Sequence, residues 1–382
     1  MAFTLALPKI NISGENAIKE LVALLAPKGG RGFIIADPAL EQLGLLAPLV
    51  QALEESELAF SCFTDTVPNP TVAIVDHAFE EFKASGADYI IGFGGGSAID
   101  TAKAVKILTA NPQPITLYTG VGNVKCMGVP LYAINTTAGT AAEVTSNAVI
   151  TDEKTKVKCV IIDTNIIPDI SVNDPAIMLG LPAEVTAATG MDALTHAIEA
   201  YVSVGAHTLT DHSALESVRV ISRYLPHAVE DGSNLEAREM MALGQFLAGM
   251  AFNSAGLGMV HAMAHPAGAH KNLPHGVCNA ILLPIVCEFN RPHRVEKFAK
   301  LASALGCNVE GLSKEQASLE AVRAIRELSD RVGIPQGFAQ FGVTEQDITL
   351  WVESALADPC AGGNPVAMTD KDVLSLYMQS LG

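Results

Sequence analysis

The sequence predicts an N-terminal α/β domain with a parallel sheet, followed by an all-helical C-terminal domain. The chain has 382 residues, which exceeds the usual size of a single hydrophobic core. Up to about residue 178, short β-rich apolar runs alternate with amphipathic stretches, as is typical of βαβ units. After residue 180, apolar residues recur at helical spacing. We therefore predict two domains, residues 1–180 and residues 181–382, joined near the segment LGLPAEV.

The elements of the first half alternate in a regular order. Strands are predicted at RGFIIAD, ELAFSCF, ADYIIGF and PLYAIN, and helices at APLVQALEESE, TVAIVDHAFEEFKASG and SAIDTAKAVKILTA. In the second half, apolar spacing predicts helices at LTHAIEAYV, ALESVRVISRYLP, AREMMALGQFLAGMAF and LEAVRAIRELSDRV. The first half should therefore form a parallel sheet with helices outside it.

The charge balance argues against two classes of partner. Lys and Arg number 24 against 41 Asp and Glu, which gives a net charge of −17. Nucleic acids and anionic membrane surfaces are bound by clustered basic residues, so we expect neither as a partner. No uninterrupted apolar run reaches the ~18 residues that would span a bilayer.

The cysteines and the first residues predict a cytoplasmic location. Seven scattered cysteines without a CxxC pair are typical of reduced thiols in a long intracellular chain. The opening MAFTLALPKI lacks the basic region and small-residue cleavage site of a secretory signal peptide.

A run of glycines follows the strand ADYIIGF. Gly94, Gly95 and Gly96 lead through Ser97 into a helix, and Ser97 with Asp100 matches a capping box. Glycines let the backbone approach a phosphate closely, and a helix N-terminus attracts anions. A tight structural turn is the alternative, but three consecutive glycines exceed what a turn needs. The run predicts a phosphate site, without being the GxGxxG fingerprint.

Polar residues also follow two other strands. Thr136, Thr137 and Thr140 come after PLYAIN, and Thr140 with Glu143 matches a second capping box. Asp37 ends the strand RGFIIAD, where a carboxylate can accept hydrogen bonds from a ribose hydroxyl. Turn chemistry beside Pro38 explains Asp37 equally well. Asn69, in VPNPT, has the same ambiguity.

The helical half contains a cluster of histidines. Asp192 and His196 are four residues apart, which places both on one helix face about 6 Å apart along the axis. His261 and His265 repeat this spacing, and His275 begins the next helix. A single buried histidine is more often a core residue than a ligand. Clustering in apolar helices, however, costs desolvation energy unless something pairs with these groups. One carboxylate and three imidazoles would suit a divalent metal, Fe²⁺ or Zn²⁺ alike.

The sequence resembles the group III, iron-dependent alcohol dehydrogenases throughout its length, and most closely their lactaldehyde reductase and 1,3-propanediol dehydrogenase branch. The matching segments are PNPT, GGGSAIDTAK, INTTAGTAAEVT, AATGMDALTHAIEAYVS, MVHAMAHPAG and NLPHGVCNAILLP. The resemblance implies a dinucleotide-binding α/β domain and a metal-binding helical domain, in a dehydroquinate synthase-like architecture. After the AHPAG stretch, where family members often have an aromatic residue, this chain has AGAHKN, which leaves the substrate open.

The resemblance also implies specific residues. The family metal site maps onto Asp192, His196, His261 and His275, and cofactor contacts map onto Asp37, Asn69, Gly95, Gly96, Ser97, Thr136, Thr137, Thr140 and Lys158. His265 matches a further active-site histidine, our candidate for proton transfer because imidazole titrates near neutrality. Together these features predict an NAD-linked, Fe²⁺-dependent oxidoreductase that interconverts short primary alcohols or diols and aldehydes by hydride transfer, with Zn²⁺ possible as the metal. The resemblance also implies a homo-oligomer, a dimer or larger.

The sequence is also compatible with three alternatives. One is a zinc-dependent polyol dehydrogenase of the glycerol type. Another is a dehydroquinate-synthase-like lyase, but its phosphorylated acidic substrate would need several basic residues, and only Lys271 adjoins a ligand segment. The third is a non-enzymatic nucleotide-binding protein whose histidines merely pack an interface.

Overall fold

The computed structural model describes residues 3–155 and 157–382, which form two compact units. The sheet unit comprises Ala6–Thr137 and Ala141–Leu179. The helical unit comprises Gly180–Gly382 together with residues 3–5 and the short segment Ala138–Thr140.

Among its described residues, the sheet unit contains nine strands and five α-helices. The strands are β1 (Ile10–Ser13), β2 (Arg31–Ala36), β3 (Ala59–Phe63), β4 (Tyr89–Gly94), β5 (Gly120–Val121), β6 (Leu131–Asn135), β7 (Asn147–Asp152), β8 (Val157–Ile162) and β9 (Ile170–Asn173). The helices are α1 (Ala17–Leu25), α2 (Pro38–Gln42), α3 (Ala47–Glu55), α4 (Val72–Ser85) and α5 (Gly96–Leu108).

Six of these strands form one parallel sheet in the order β1-β9-β6-β4-β2-β3. Every residue of β4 and β6 is buried, as expected for strands covered on both faces. The predicted strands and helices of the first half are all present, and the parallel sheet is confirmed. Because β2, β4 and β6 are neighbours, their carboxyl ends lie side by side at one edge of the sheet.

A second, three-stranded sheet in the order β5-β8-β7 was not predicted. Its strands β7 and β8 are antiparallel. Helix α5 holds this sheet through polar side chains: Asp100 Oδ2 accepts a hydrogen bond from Val149 N at 3.0 Å, and Lys103 Nζ donates to the Asn147 carbonyl at 2.7 Å. The fully buried Lys103 also donates to Thr145 Oγ1 at 3.2 Å.

The helical unit has α-helices and no strand among its described residues. Its helices are α6 (Ala183–Val202), α7 (Thr208–Glu230), α8 (Leu235–Ala255), α9 (Met259–Lys271), α10 (His275–Asn290), α11 (Val295–Ala304), α12 (Lys314–Arg331), α13 (Glu345–Ala357) and α14 (Asp370–Gln379). Helix α6 is buried on all sides from Gly190 to Val202. A Cβ at Gly190 would lie 2.3 Å from Leu225 Cδ1, so glycine lets α7 approach α6 closely.

Within the described ranges, no single helix is both long and apolar enough to cross a bilayer. Helices α8 and α9 taken together have the length and composition of a membrane span, but the chain bends by 103° at the break between them.

Candidate active site

The glycine turn after β4 is shaped by close contacts. Gly94 has φ 154°, and a Cβ there would lie 2.7 Å from Ala98 Cβ. A Cβ at Gly95 would lie 3.0 Å from Thr137 Oγ1. Helix α5 begins at Gly96, so its first amides follow the turn directly. Glycine is therefore required at Gly94 and Gly95 for close packing, and the first amides of α5 supply the polarity that a phosphate group requires.

The threonine turn after β6 lies against the glycine turn. Thr136 N donates to the Gly94 carbonyl at 3.1 Å. The hydroxyl oxygens of Thr136 and Thr137 are buried and have no hydrogen-bond partner among the described atoms. A buried polar group without a partner costs about 1–3 kcal/mol, so these hydroxyls suit a polar ligand at this edge of the sheet. Thr140 lies in the segment Ala138–Thr140, which belongs to the helical unit.

Three further cofactor candidates also have defined positions. Asp37 is the N-cap of α2, where its Oδ1 accepts from Ala39 N at 2.8 Å, so the turn interpretation accounts for one of its oxygens. Asn69 has a left-handed backbone with φ 54°, and its Oδ1 accepts from Lys158 Nζ at 2.8 Å. The structure thus joins Asn69 to Lys158, a contact that sequence spacing does not reveal.

The capping-box interpretations are wrong. The N-cap of α5 is Gly95, with no side-chain cap, because the Asp100 carboxylate binds Val149 N on β7 instead. Burial raises the pKa of Asp100 to about 6, although nearby Lys103 counteracts that effect. No helix begins at Thr140, and Glu143 Oε1 accepts from Asn173 Nδ2 at 2.9 Å.

Three of the four predicted metal ligands converge in the helical unit. Asp192 on α6, His261 on α9 and His275 on α10 offer ligand atoms that all lie within 4.8 Å of one another. Asp192 Oδ1 lies 3.8 Å from His261 Nε2 and 3.7 Å from His275 Nε2. A tetrahedral metal with bonds of about 2.1 Å separates its ligand atoms by about 3.4 Å. The donor set and its spacing therefore fit a divalent metal.

Asn279 marks the point on which these atoms converge. Its Nδ2 lies 2.6 Å from Asp192 Oδ1, 3.0 Å from His261 Nε2 and 3.1 Å from His275 Nε2. The Asn279 amide nitrogen, which can only donate, thus lies within hydrogen-bond distance of all three ligand atoms, at the place where a cation would bind them. Sequence reasoning missed Asn279, although its position four residues after His275 places both on one face of α10.

His196, the fourth predicted ligand, lies beside this group but not in it. Its ring stacks on His261 with centroids 4.5 Å apart and on Phe252 at 4.4 Å. It makes a backbone hydrogen bond with Gly139, while its Nδ1 is buried without a partner among the described atoms. Burial lowers the pKa of His196 to about 4, so the ring is neutral at pH 7.

Glu199, also missed by sequence reasoning, supports His261. Its Oε2 lies 2.6 Å from His261 Nδ1, and its Oε1 accepts from Val260 N at 2.6 Å. Burial lowers the pKa of His261 to about 4, which leaves the imidazole neutral, the form that binds metals. Burial also raises the pKa of Glu199 to about 7, and backbone N–H groups of Val260, Gly258 and His261 counteract that rise.

His265 has its own carboxylate partner. Its Nδ1 lies 2.6 Å from Asp358 Oδ2, and its ring stacks on His275 with centroids 5.5 Å apart. Burial alone would raise the pKa of Asp358, but the His265 contact and the Cys360 N–H hold it below its usual value. His265, Asp358 and Cys360 form a second group whose ligand atoms lie within 4.8 Å of one another.

The parallel α/β sheet and the helical unit with its Asp and His cluster define a class of metal-dependent dehydrogenases. A family profile described as iron-containing alcohol dehydrogenase matches residues 8–175. The profile of the Fe-containing alcohol dehydrogenase family, C-terminal, matches residues 186–381. The chain belongs to the iron-containing alcohol dehydrogenase family, as its motifs predict.

Relatives of known name support this assignment. The chain is 41% identical to the NAD-dependent methanol dehydrogenase of Bacillus methanolicus over 376 residues, covering 98% of this chain and 99% of the relative. It is 42% identical to the lactaldehyde reductase of Escherichia coli strain K12 over 367 residues, covering 95% of this chain and 96% of the relative. A crystal structure of 1,3-propanediol oxidoreductase superposes with a TM-score of 0.97 at 40% identity and covers 100% of both chains. The expected fold class and enzyme class are thereby confirmed.

Proposed function

We propose that the protein interconverts short primary alcohols or diols and the corresponding aldehydes, with NAD as the hydride carrier and Fe²⁺ as the resident metal. In the oxidative direction, alcohol and NAD⁺ give aldehyde, NADH and a proton. The observation that carries this proposal is the convergence of Asp192 Oδ1, His261 Nε2 and His275 Nε2. Small alcohols and aldehydes appear in the names of the similar methanol, lactaldehyde and 1,3-propanediol enzymes.

The metal would be held by Asp192, His261 and His275, with the neighbouring His196 as the fourth ligand. When bound there, Fe²⁺ supplies Lewis acidity that stabilises negative charge on the substrate oxygen. Fe²⁺ and Zn²⁺ both suit one oxygen and three nitrogen ligands. Asp192 and His261 are almost wholly buried and would keep water from their side of the metal, whereas the His275 side chain is 28% exposed.

The chain's other groups orient the cofactor and handle the proton. The glycine turn with the α5 N-terminus would bind the pyrophosphate, and the hydroxyls of Thr136 and Thr137, which have no hydrogen-bond partner among the described atoms, would contact the cofactor. Asp358 holds His265 through Nδ1, which leaves Nε2 as the atom that takes up or gives a proton.

We also propose that the domains divide near residue 180 into a dinucleotide-binding and a metal-binding part, and that the enzyme is a cytoplasmic homo-oligomer. Strand β1 supports the oligomer, because it lies at the end of the six-stranded sheet and, within the described part of the chain, pairs with β9 alone. The location rests on the cysteine pattern. Sedimentation equilibrium should give at least a dimer, and a monomeric mass would contradict the oligomer.

One assay tests the proposed function. Protein prepared without oxygen is analysed for iron and zinc, and NADH formation is then followed at 340 nm with ethanol, 1,2-propanediol and glycerol. We expect about one metal ion per chain, with turnover of ethanol and the diol exceeding that of glycerol in the iron-loaded form. Activity confined to glycerol with zinc would favour the polyol dehydrogenase. Tight NAD binding without turnover of any alcohol would contradict the proposal.

A further inference from the structure

Glu199 connects two of the helices that carry the predicted ligands. It lies on α6, three residues after His196, and its side chain is only 4% exposed. Its Oε2 meets His261 Nδ1 at 2.6 Å, and its Oε1 accepts from Val260 N at 2.6 Å. The carboxylate therefore contacts both the side chain and the backbone of the first turn of α9.

These contacts assign the tautomer of His261. An ionised Glu199 carboxylate only accepts hydrogen bonds, and in that form it pairs with an Nδ1 that carries the proton. A contact at Nε2 gives the same assignment whatever the ionisation of Glu199, because Asn279 Nδ2 also donates to Asp192 Oδ1 at 2.6 Å, which fixes the orientation of its amide. Asn279 Nδ2, which only donates, lies 3.0 Å from His261 Nε2. Nε2 is also the atom that faces Asp192 Oδ1, at 3.8 Å.

The same carboxylate serves the N-terminus of α9. The N-cap residue Gly258 has no side chain to satisfy the first amides of the helix. A Cβ at Gly258 would lie 2.9 Å from Glu199 Oε1, so glycine leaves room for the carboxylate. A negative charge at this end of a helix is also favoured by the helix dipole.

We propose that Glu199 is a positioning residue: it fixes His261 in the tautomer whose Nε2 is free to bind a metal, and it caps the helix that carries His261 and His265. The benefit of this tautomer rests on the proposed metal-dependent function, but the tautomer itself can be measured in the metal-free protein. Carboxylates that hold a ligating histidine in this way raise metal affinity by about 10–100-fold.

The variant Glu199→Gln separates the two roles. The Gln carbonyl can still accept from Val260 N, while its amide N–H₂ faces His261 Nδ1 and converts that atom into an acceptor. His261 should then switch to the Nε2–H tautomer. In metal-free protein, ¹⁵N NMR should show the protonated and unprotonated ring nitrogens of His261 exchanged, with the signals assigned through His261→Gln. Zn²⁺ affinity, measured against a chromophoric chelator, should fall about 10–100-fold, with NAD affinity unchanged.

The matched control is Asp163→Asn, the same carboxylate-to-amide change at a buried position of the sheet unit. Asp163 accepts from Val124 N and Asn165 N, both at 2.9 Å, so its role is to hold local backbone. This control should keep the tautomer of His261 and the wild-type Zn²⁺ affinity. Glu199→Ala tests the capping role, and its Tm should fall by about 2–4 °C or more relative to Glu199→Gln.

The outcomes distinguish this inference from the proposed function. If Glu199→Gln keeps the Nδ1–H tautomer and wild-type Zn²⁺ affinity, the positioning role is wrong. If the variant loses Zn²⁺ without a change of tautomer, the proposed mechanism of positioning is also wrong. If wild-type protein binds no Zn²⁺ but the variant still switches the tautomer, the role of Glu199 at His261 is supported and the proposed function fails.

Discussion

The two candidate sites are built from different parts of the chain. In the sheet unit, the features that suit a phosphate belong mainly to the backbone: Gly94, Gly95 and the first turn of α5. In the helical unit, the features that suit a metal are side chains: Asp192, His261 and His275, presented by three helices. A backbone site requires residues without bulky side chains, whereas a side-chain site requires particular side-chain atoms at each position.

This difference predicts different sensitivities to substitution. Adding atoms should damage the backbone site, because a Cβ at Gly95 already approaches Thr137 Oγ1 to 3.0 Å. Removing atoms should damage the side-chain site, because each ligand supplies one lone pair. The two sites should therefore fail separately and in these opposite ways.

The largest effect is expected for His261→Ala. Losing one ligand leaves an incomplete coordination shell, so bound metal should be lost and turnover should fall by roughly 10²–10³-fold or more, the scale of removing a main stabiliser of negative oxygen. NAD affinity, measured by fluorescence titration, should stay at the wild-type value. The control is His270→Ala, on an exposed part of the same helix, which should keep its metal. Full metal content and activity in His261→Ala would refute the ligand assignment.

Gly95→Val should produce the opposite pattern. Its side chain would collide with Thr137 and block approach to the α5 N-terminus, so NAD affinity should fall about a hundredfold, or roughly 3 kcal/mol. Gly95→Ala, with fewer added atoms, should show a smaller loss. Metal content should be unchanged in both. If calorimetry shows unaltered NAD binding in the Val variant, the glycine turn is only structural.

Many residues of both sites can be identified from the sequence because they belong to local sequence patterns. The strand, glycine run and helix around Gly95 are contiguous, and Asp192 with His196 share a helix face through their spacing. Glu199 and Asn279 lie at i+7 from Asp192 and i+4 from His275, so the same periodicity could have identified them. Asp358 could not be identified this way, because it reaches His265 from 93 residues away, outside any helix.

The corrected capping boxes show where local patterns fail. Ser97 and Asp100 have the right spacing, but β7 offers Asp100 a backbone N–H, and the tertiary contact replaces the local one. The antiparallel strands β7 and β8 have no distinctive sequence pattern, so the hydrogen bond from Val149 N could not be predicted. The local sequence shows which polar groups need hydrogen-bond partners, but the tertiary structure determines which partners are available.

The smallest effect is expected at Asp37, whose side chain would contact the cofactor at the otherwise backbone-formed site of the sheet unit. Its charge should repel the 2′-phosphate of NADP and favour NAD by about 1–3 kcal/mol, or roughly tenfold to a few hundredfold in kcat/KM. Asp37→Gly should raise NADP use and lower NAD use modestly, because glycine as N-cap of α2 costs only a few tenths of a kcal/mol. Asp37→Ser keeps a cap oxygen without the charge and should behave like Asp37→Gly with NADP. A wild-type preference for NADP in steady-state kinetics would contradict this placement.

The location of the metal tests the central claim most directly. Crystals of the protein loaded anaerobically with Fe²⁺ should be measured by anomalous diffraction at the iron edge. We predict one peak in the helical unit, within about 2.3 Å of Asp192 Oδ1, His261 Nε2 and His275 Nε2, with a nitrogen of His196 turned toward it. A peak at His265, Asp358 and Cys360 instead, or no peak in active protein, would contradict the account.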